Sequence, residues 1–262
     1  MLEAEQSAFL VAAAAAADAA GAALRPWFRA PLPVEQKADL SPVTRADRAA
    51  EEAMRAVLAH RFPEHGLFGE ELGHERPEAR FCWVLDPIDG TRAFITGRPI
   101  FGTLVALLDA NRPVLGLIDQ PVTGERWIGL SGRSTRFRGP LGGHAGCRSC
   151  AALAEAEISS TSPEMFSSDE HPRLARLQSA CRRTSWGGDC YAYGLLALGM
   201  IDIVVESSLK PWDWAALVPI VEGAGGRITD WQGRPLAPDS SGQVLAVGDA
   251  ALLEPALALL SV

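Results

Sequence analysis

The chain has 262 residues, 48% hydrophobic and 21% charged, which is enough apolar material for a packed core and excludes disordered and collagen-like classes. Its 24 Lys and Arg against 32 Asp and Glu leave a formal charge of -8, which opposes attraction to phosphate backbones and anionic membranes, so neither nucleic acid nor membrane is expected as a partner. Five thinly spread Cys are unlike the dense disulfide framework of a small secreted domain and fit reduced thiols in a cytoplasm.

The apolar run 9–17 is mostly Ala, stops at Asp18 and is preceded by Glu3 and Glu5, so it reads as neither an export signal nor a membrane span. A helix is expected over 5–24, with Leu10, Val11 and nearby Ala facing the interior. Over 43–60, Ala46, Ala50, Met54 and Val57 recur at helical spacing and Thr44 can cap the start. Pro63 ends this helix, and Gly66, Gly69 and Gly73 mark a loop carrying Glu70 and Glu71. Residues 81–85 read as a buried strand ending at Asp86 and Pro87. Strands over 103–108, 114–118 and 126–129, separated by turn residues, suggest a meander.

The stretch 131–150 is rich in Gly, Ser and Arg, and a seam near Cys147 divides the expected subdomains, 1–146 and 147–262. Beyond it lie a strand over 158–161, helices over 172–180 and 190–198, a strand over 201–206 and a helix over 212–222. Strands alternating with helices give an α/β layered second half.

Four acids stand out: Glu70 in the glycine-flanked loop, Asp86 and Asp89 around Pro87 and Ile88, and Asp213 after Pro211. Asp86 and Asp89 can converge on one locus, with the Ile88 carbonyl aimed the same way, and hard oxygen donors select a hard cation such as magnesium. Gly90 and Thr91 would offer backbone N–H groups to an anion such as phosphate. Taken singly, each acid has a plainer reading: a turn residue at Asp86, an Asx turn at Asp89, a helix cap at Asp213, a solvated loop at Glu70. Their joint occurrence is what favours a metal cage. His144 with Cys147 and Cys150 forms half of a zinc pattern without a second half, and His60, His65 and His74 read as surface residues.

The segments Gly69-Glu70-Glu71, Trp83 through Thr91, Trp212-Asp213-Trp214-Ala215-Ala216 and Glu222-Gly223-Ala224-Gly225-Gly226 resemble, in order and spacing, the signature set of the inositol monophosphatase family, from about Lys37 to Gly233. Within it the chain is most similar to bacterial histidinol-phosphate phosphatases, through Arg92-Ala93-Phe94-Ile95, Ile118-Asp119-Gln120-Pro121, Glu125-Arg126-Trp127, Thr161-Ser162-Pro163 and Trp186 through Tyr191. The resemblance implies a five-layer αβαβα sandwich of the inositol monophosphatase and fructose-1,6-bisphosphatase type, magnesium-dependent hydrolysis of a phosphate monoester, and a homodimer. It also implies two or three Mg2+ per site. Glu70, Asp86 and the Ile88 carbonyl would hold one ion, Asp86, Asp89 and Asp213 a second, and Glu70 would serve a third. Gly90 and Thr91 would hold the phosphate. Glu70 and Thr91 would position and activate water, with Asp47 orienting the Thr91 hydroxyl, unless Asp47 is a plain surface residue of its helix.

On the alcohol side, Gly188, Asp189 and Glu206 occupy the family's substrate region, and two carboxylates there suit a cationic alcohol. Arg92 either contacts substrate or pairs with a surface acid. Helix capping by Asp189 and a strand-end surface position for Glu206 are the plainer readings. Histidinol phosphate is the expected substrate; inositol phosphates, fructose bisphosphate and nucleotide 3'-phosphates are the alternatives within the family. A non-catalytic regulatory protein on the same fold is the alternative of another class.

Overall fold

The computed structural model describes residues 3–31, 34–36 and 42–261; Lys37, where the resemblance begins, lies outside them. In chain order the elements are α1 (Glu3–Leu24), β1 (Val34–Gln36), β2 (Pro42–Thr44), α2 (Arg45–Arg61), β3 (Gly66–Gly69), β4 (Gly73–Glu75), β5 (Phe81–Asp89), α3 (Thr91–Ile95), β6 (Gly102–Asp109), β7 (Arg112–Gln120), β8 (Glu125–Leu130) and β9 (Arg136–Arg138). They continue as β10 (Glu157–Ser160), α4 (His171–Ala180), β11 (Arg183–Trp186), α5 (Asp189–Ala197), β12 (Ile203–Glu206), α6 (Pro211–Trp214), α7 (Leu217–Gly223), β13 (Arg227–Thr229), β14 (Val244–Val247) and α8 (Leu253–Leu260).

Two main sheets form: seven strands in the order β4-β3-β5-β6-β7-β8-β9 and five in the order β11-β10-β12-β14-β13. Period-two alternation sends the two faces of each strand into different cores. Trp83, Leu85, Val105 and Leu107 meet the buried Ala stripe of α1 and Ala46, Ala50, Met54 and Leu58 of α2. Val84, Leu104 and Ala106 face the other way, into a core shared with α5, α6 and α7 and with Val204, Val244 and Ala246 of the second sheet. Ile203, Val205, Leu245 and Val247 then face α4 and α8. The result is a five-layer αβαβα stack. The β5 to β9 run is the expected antiparallel meander.

Several local expectations are corrected. The interior face of α1 is the stripe Ala12, Ala13, Ala16, Ala17 and Ala20, while Val11 is 53% exposed. By length and composition alone α1 could cross a membrane, but here that stripe packs in the α1/α2 core. The glycine loop contains β3, which pairs in parallel with β5, and Gly69 lets the strand end lie against Glu51 of α2. The expected helix over 212–222 is split into α6 and α7, since Pro219 has no N–H to give to the Ala215 carbonyl. His65 is buried and stacked on Phe62, and accepts the Trp83 indole N–H at 3.1 Å.

Candidate active site

Alternation along β5 puts Asp86 on the same side as Cys82 and Val84, toward the middle helices. A bulge between Asp86 and Asp89, centred on Pro87, then re-aims the strand so that Asp89 faces the same locus. The bulge is braced by the Thr103 hydroxyl, which donates to the Pro87 carbonyl at 2.8 Å. Asp213 arrives from the first turn of α6. Ligand atoms of Asp86, Asp89 and Asp213 all lie within 4.8 Å of one another.

Each of these acids is held through one oxygen by a backbone N–H from a different segment. Asp86 Oδ1 accepts from Ile88 at 3.0 Å, Asp89 Oδ2 from Cys190 at the start of α5, and Asp213 Oδ2 from Lys210 at 2.6 Å. Asp213 therefore caps its helix and joins the cluster at once. Glu70 completes the group, its carboxyl in hydrogen-bond contact with Asp86.

Burial and mutual repulsion dominate the electrostatics. Desolvation, then the charges of Glu70, Asp89 and Asp213, push Asp86 well above the usual carboxylate range. Asp89 is raised by burial and by Asp189 and Asp213, and burial drives Asp213 up to about 8. The charged neighbours that act most strongly on Asp86 are all acids. Such crowding of oxygen donors is what a divalent hard cation relieves, so the donor set fits magnesium.

A cavity of about 260 Å³ adjoins the cluster. Glu70, Gly90, Thr91, Arg92, Thr161, Glu164 and Asp189 are among the residues that line it. Four larger hollows, of about 640, 510, 450 and 380 Å³, are lined by other residues and adjoin none of these acids, so chemistry and not volume marks the site. Gly90 has φ +93° and is the N-cap of α3, and a Cβ there would lie 2.9 Å from Asp189 Oδ2. The first N–H groups of α3 have no intrahelical acceptor and are available to an anion.

The Thr91 hydroxyl donates to the Ile88 carbonyl at 3.1 Å. Asp47 is 1% exposed, not a surface residue, and Oδ2 accepts from the Thr44 N–H at 2.8 Å and hydroxyl at 2.5 Å in a capping box. No hydrogen bond joins Asp47 to Thr91 among the described residues; the cap claims one Asp47 oxygen and leaves Oδ1 buried without a partner. Burial raises the Asp47 carboxyl, and the charge of Glu70 adds to that.

The turn Gly187-Gly188-Asp189 has three successive positive φ values, 85°, 131° and 45°. The last is strained for Asp, and it aims that side chain into the cavity instead of capping α5. Burial pushes Asp189 up to about 6 against the opposing pull of Arg92. Glu206 lies deeper, 2% exposed, taking the Thr161 N–H at 3.1 Å and the Tyr193 hydroxyl at 2.9 Å. Burial first, and Asp189 among its neighbours, raise it to about 7.

Three contributors were not anticipated. Glu51 and Arg55 follow Asp47 at i+4 and i+8 on a buried stripe of α2, a spacing readable in the sequence. Glu164, on the turn after Ser162, carries no such signal. The zinc half-pattern gains no support: among the described residues the only group of three or more convergent donors is the Asp trio.

The sequence matches the inositol monophosphatase family over residues 5–260. The chain belongs to the inositol monophosphatase family. It is 46% identical to the bifunctional phosphatase IMPL2, chloroplastic, of Arabidopsis thaliana over 93% of this chain and 72% of that protein. It is 37% identical to the histidinol-phosphatase of Chlorobaculum parvum, covering 88% of each. The structure of an inositol monophosphatase from Zymomonas mobilis superposes with a TM-score of 0.89 at 52% identity, covering 100% of both chains. The protein is thus a phosphatase of the inositol monophosphatase family, and the acid-lined cavity is its candidate active site.

Proposed function

We propose that this phosphatase is magnesium-dependent and hydrolyses L-histidinol phosphate to L-histidinol and phosphate, in the cytoplasm and in histidine biosynthesis. The observation that carries the reading is Asp189, a carboxyl held in a strained backbone conformation and lining the cavity; by family resemblance it faces the alcohol. A carboxylate so placed suits the ammonium of an amino alcohol and offers little to a neutral polyol.

Glu70, Asp86, the Ile88 carbonyl, Asp89 and Asp213 would hold two or three Mg2+, which when bound offset the charge of the phosphate dianion and acidify water. Gly90 and Thr91 bind the phosphate through backbone N–H groups at the start of α3. Glu70 and the Thr91 hydroxyl orient the attacking water, and Glu70 receives its proton as the new P–O bond forms and the P–O bond to the alcohol breaks; solvent water protonates the departing alkoxide. Asp47 holds the start of α2 and sets the field around Glu70. Arg92 and Gly188 shape the substrate side, and Glu206 adds negative charge behind Asp189. By family resemblance the working unit is a homodimer.

A second reading, hydrolysis of an inositol phosphate, is favoured by the 52% identity to the Zymomonas mobilis protein. Phosphate release from L-histidinol phosphate and from inositol 1-phosphate, with Mg2+ and with EDTA, separates the two. Preference for the histidinol ester supports the proposal; preference for the inositol ester replaces it with the second reading.

A further inference from the structure

Arg92 lies next to Thr91, at the end of the cavity where the phosphate is expected, yet its guanidinium reaches across the mouth. Nη1 donates to Glu164 Oε2 at 2.7 Å, and the two side chains are 67% and 72% exposed. An ion pair this open to water is held weakly and parts at little cost. Glu164 itself is fixed at its backbone, because the Ser162 hydroxyl accepts its N–H at 3.2 Å on a short turn leading out of β10.

Charge balance gives the pair its meaning. Arg92 is the only cation among the described residues lining the cavity, and it faces two carboxylates, Glu164 and Asp189. A phosphate dianion bound at Gly90 and Thr91 is a stronger partner for a guanidinium than an exposed carboxylate. Once Arg92 turns to the phosphate, Glu164 and Asp189 lose their cation. An alcohol carrying an ammonium group supplies a replacement, whereas a neutral polyol leaves both carboxylates uncompensated. Glu206, with both oxygens hydrogen-bonded inside the protein, cannot take that part without breaking those bonds.

We infer that Glu164 is a specificity-determining residue that selects phosphate monoesters of amino alcohols by partner exchange: Arg92 leaves it for the phosphate, and the substrate ammonium takes the vacated place. The inference rests on the reading of this cavity as the site of a cationic monoester. In effect, the Arg92–Glu164 pair occupies the resting site with one group of each sign, as the substrate does with its ammonium and phosphate.

The test compares wild type with Glu164→Gln, a change of charge at an exposed, similarly shaped side chain. Steady-state kinetics with Mg2+ are measured on L-histidinol phosphate, O-phosphoethanolamine and glycerol 2-phosphate. The expected result is that the preference in kcat/KM for the two amino-alcohol esters over the glycerol ester falls about tenfold in the variant, mainly through KM. A merely structural role would depress all three esters together and leave that ratio in place, which would overturn the inference while wild-type preference for the cationic esters left the parent reading intact. A wild-type enzyme with no preference for either amino-alcohol ester would overturn the reading and the inference with it.

Discussion

The carboxylate of Glu51 grips the backbone of Glu71: Oε2 accepts that N–H at 2.7 Å. Oε1 takes the Leu72 N–H at 3.2 Å and the Arg55 Nε at 2.8 Å, while Arg55 also binds Glu75 at 2.8 Å. A Cβ on Gly69 would fall 1.9 Å from Glu51 Oε1, so glycine at that position is what lets the loop close on α2. Glu70 sits inside this clamp, and its position beside Asp86 depends on a side chain that does not touch the cavity. Replacing Glu51 by Ala leaves Arg55 buried with one partner fewer and is expected to cost about 3 kcal/mol. Urea unfolding with and without Mg2+ measures this, and the gain from Mg2+ should shrink as Glu70 loosens.

The acidic trio should trade stability for function. Asp86→Asn removes one charge from a buried like-charged group, so in EDTA the variant is expected to melt at or above the wild-type temperature. Its turnover should fall by about a hundredfold or more, and Mg2+ should no longer raise its Tm. Thermal melts and phosphate release on the same preparations check both halves.

Proton and metal should compete. The unfolded chain ionises Asp213 near its ordinary value of about 4, whereas burial holds the folded group at about 8. Without a divalent ion the folded state therefore loses stability as pH climbs between those two values. A divalent ion binds the ionised form and reverses that loss. Moving from about pH 6 to about pH 8.5 should lower Tm in EDTA and enlarge the increase that Mg2+ produces. An increase of the same size at both pH values would contradict the assignment of Asp213 to the ion site.

Much of this site was readable from the chain because its acids lie on elements with clear signals. The apolar run of β5 locates Asp86, and the Thr44 cap fixes the start of α2 with Asp47 in its first turn, but Pro87, read as the end of the strand, is instead passed by a bulge and β5 runs on to Asp89. What escaped reading depends on long-range packing. β3 is a glycine-bearing strand that exists because β5 offers it a parallel partner, and periodicity over four residues cannot show that. Family resemblance puts Glu206 on the substrate side, but only the fold reveals Thr161 and Tyr193 on its two oxygens. The Arg92–Glu164 pair joins positions 72 residues apart, beyond any local pattern.

Gly90 is a sharp test of local geometry. Gly90→Ala must adopt φ +93° and meets Asp189 Oδ2 at 2.9 Å. It should cost about 1–2 kcal/mol in stability and displace the Asp189 side chain, raising KM for a cationic ester more than for a neutral one. Chemical unfolding and substrate kinetics together separate the strain from the displacement.

The central claim is that carboxylates from β5 and α6 converge to hold a divalent ion at the site of hydrolysis. Crystals soaked in Mn2+ and measured at the manganese edge test it most directly. An anomalous peak about 2.0–2.4 Å from oxygens of Asp86, Asp89 and Asp213 is predicted. No peak at those oxygens, in crystals of protein that hydrolyses its ester in Mn2+ and stops in EDTA, would contradict it.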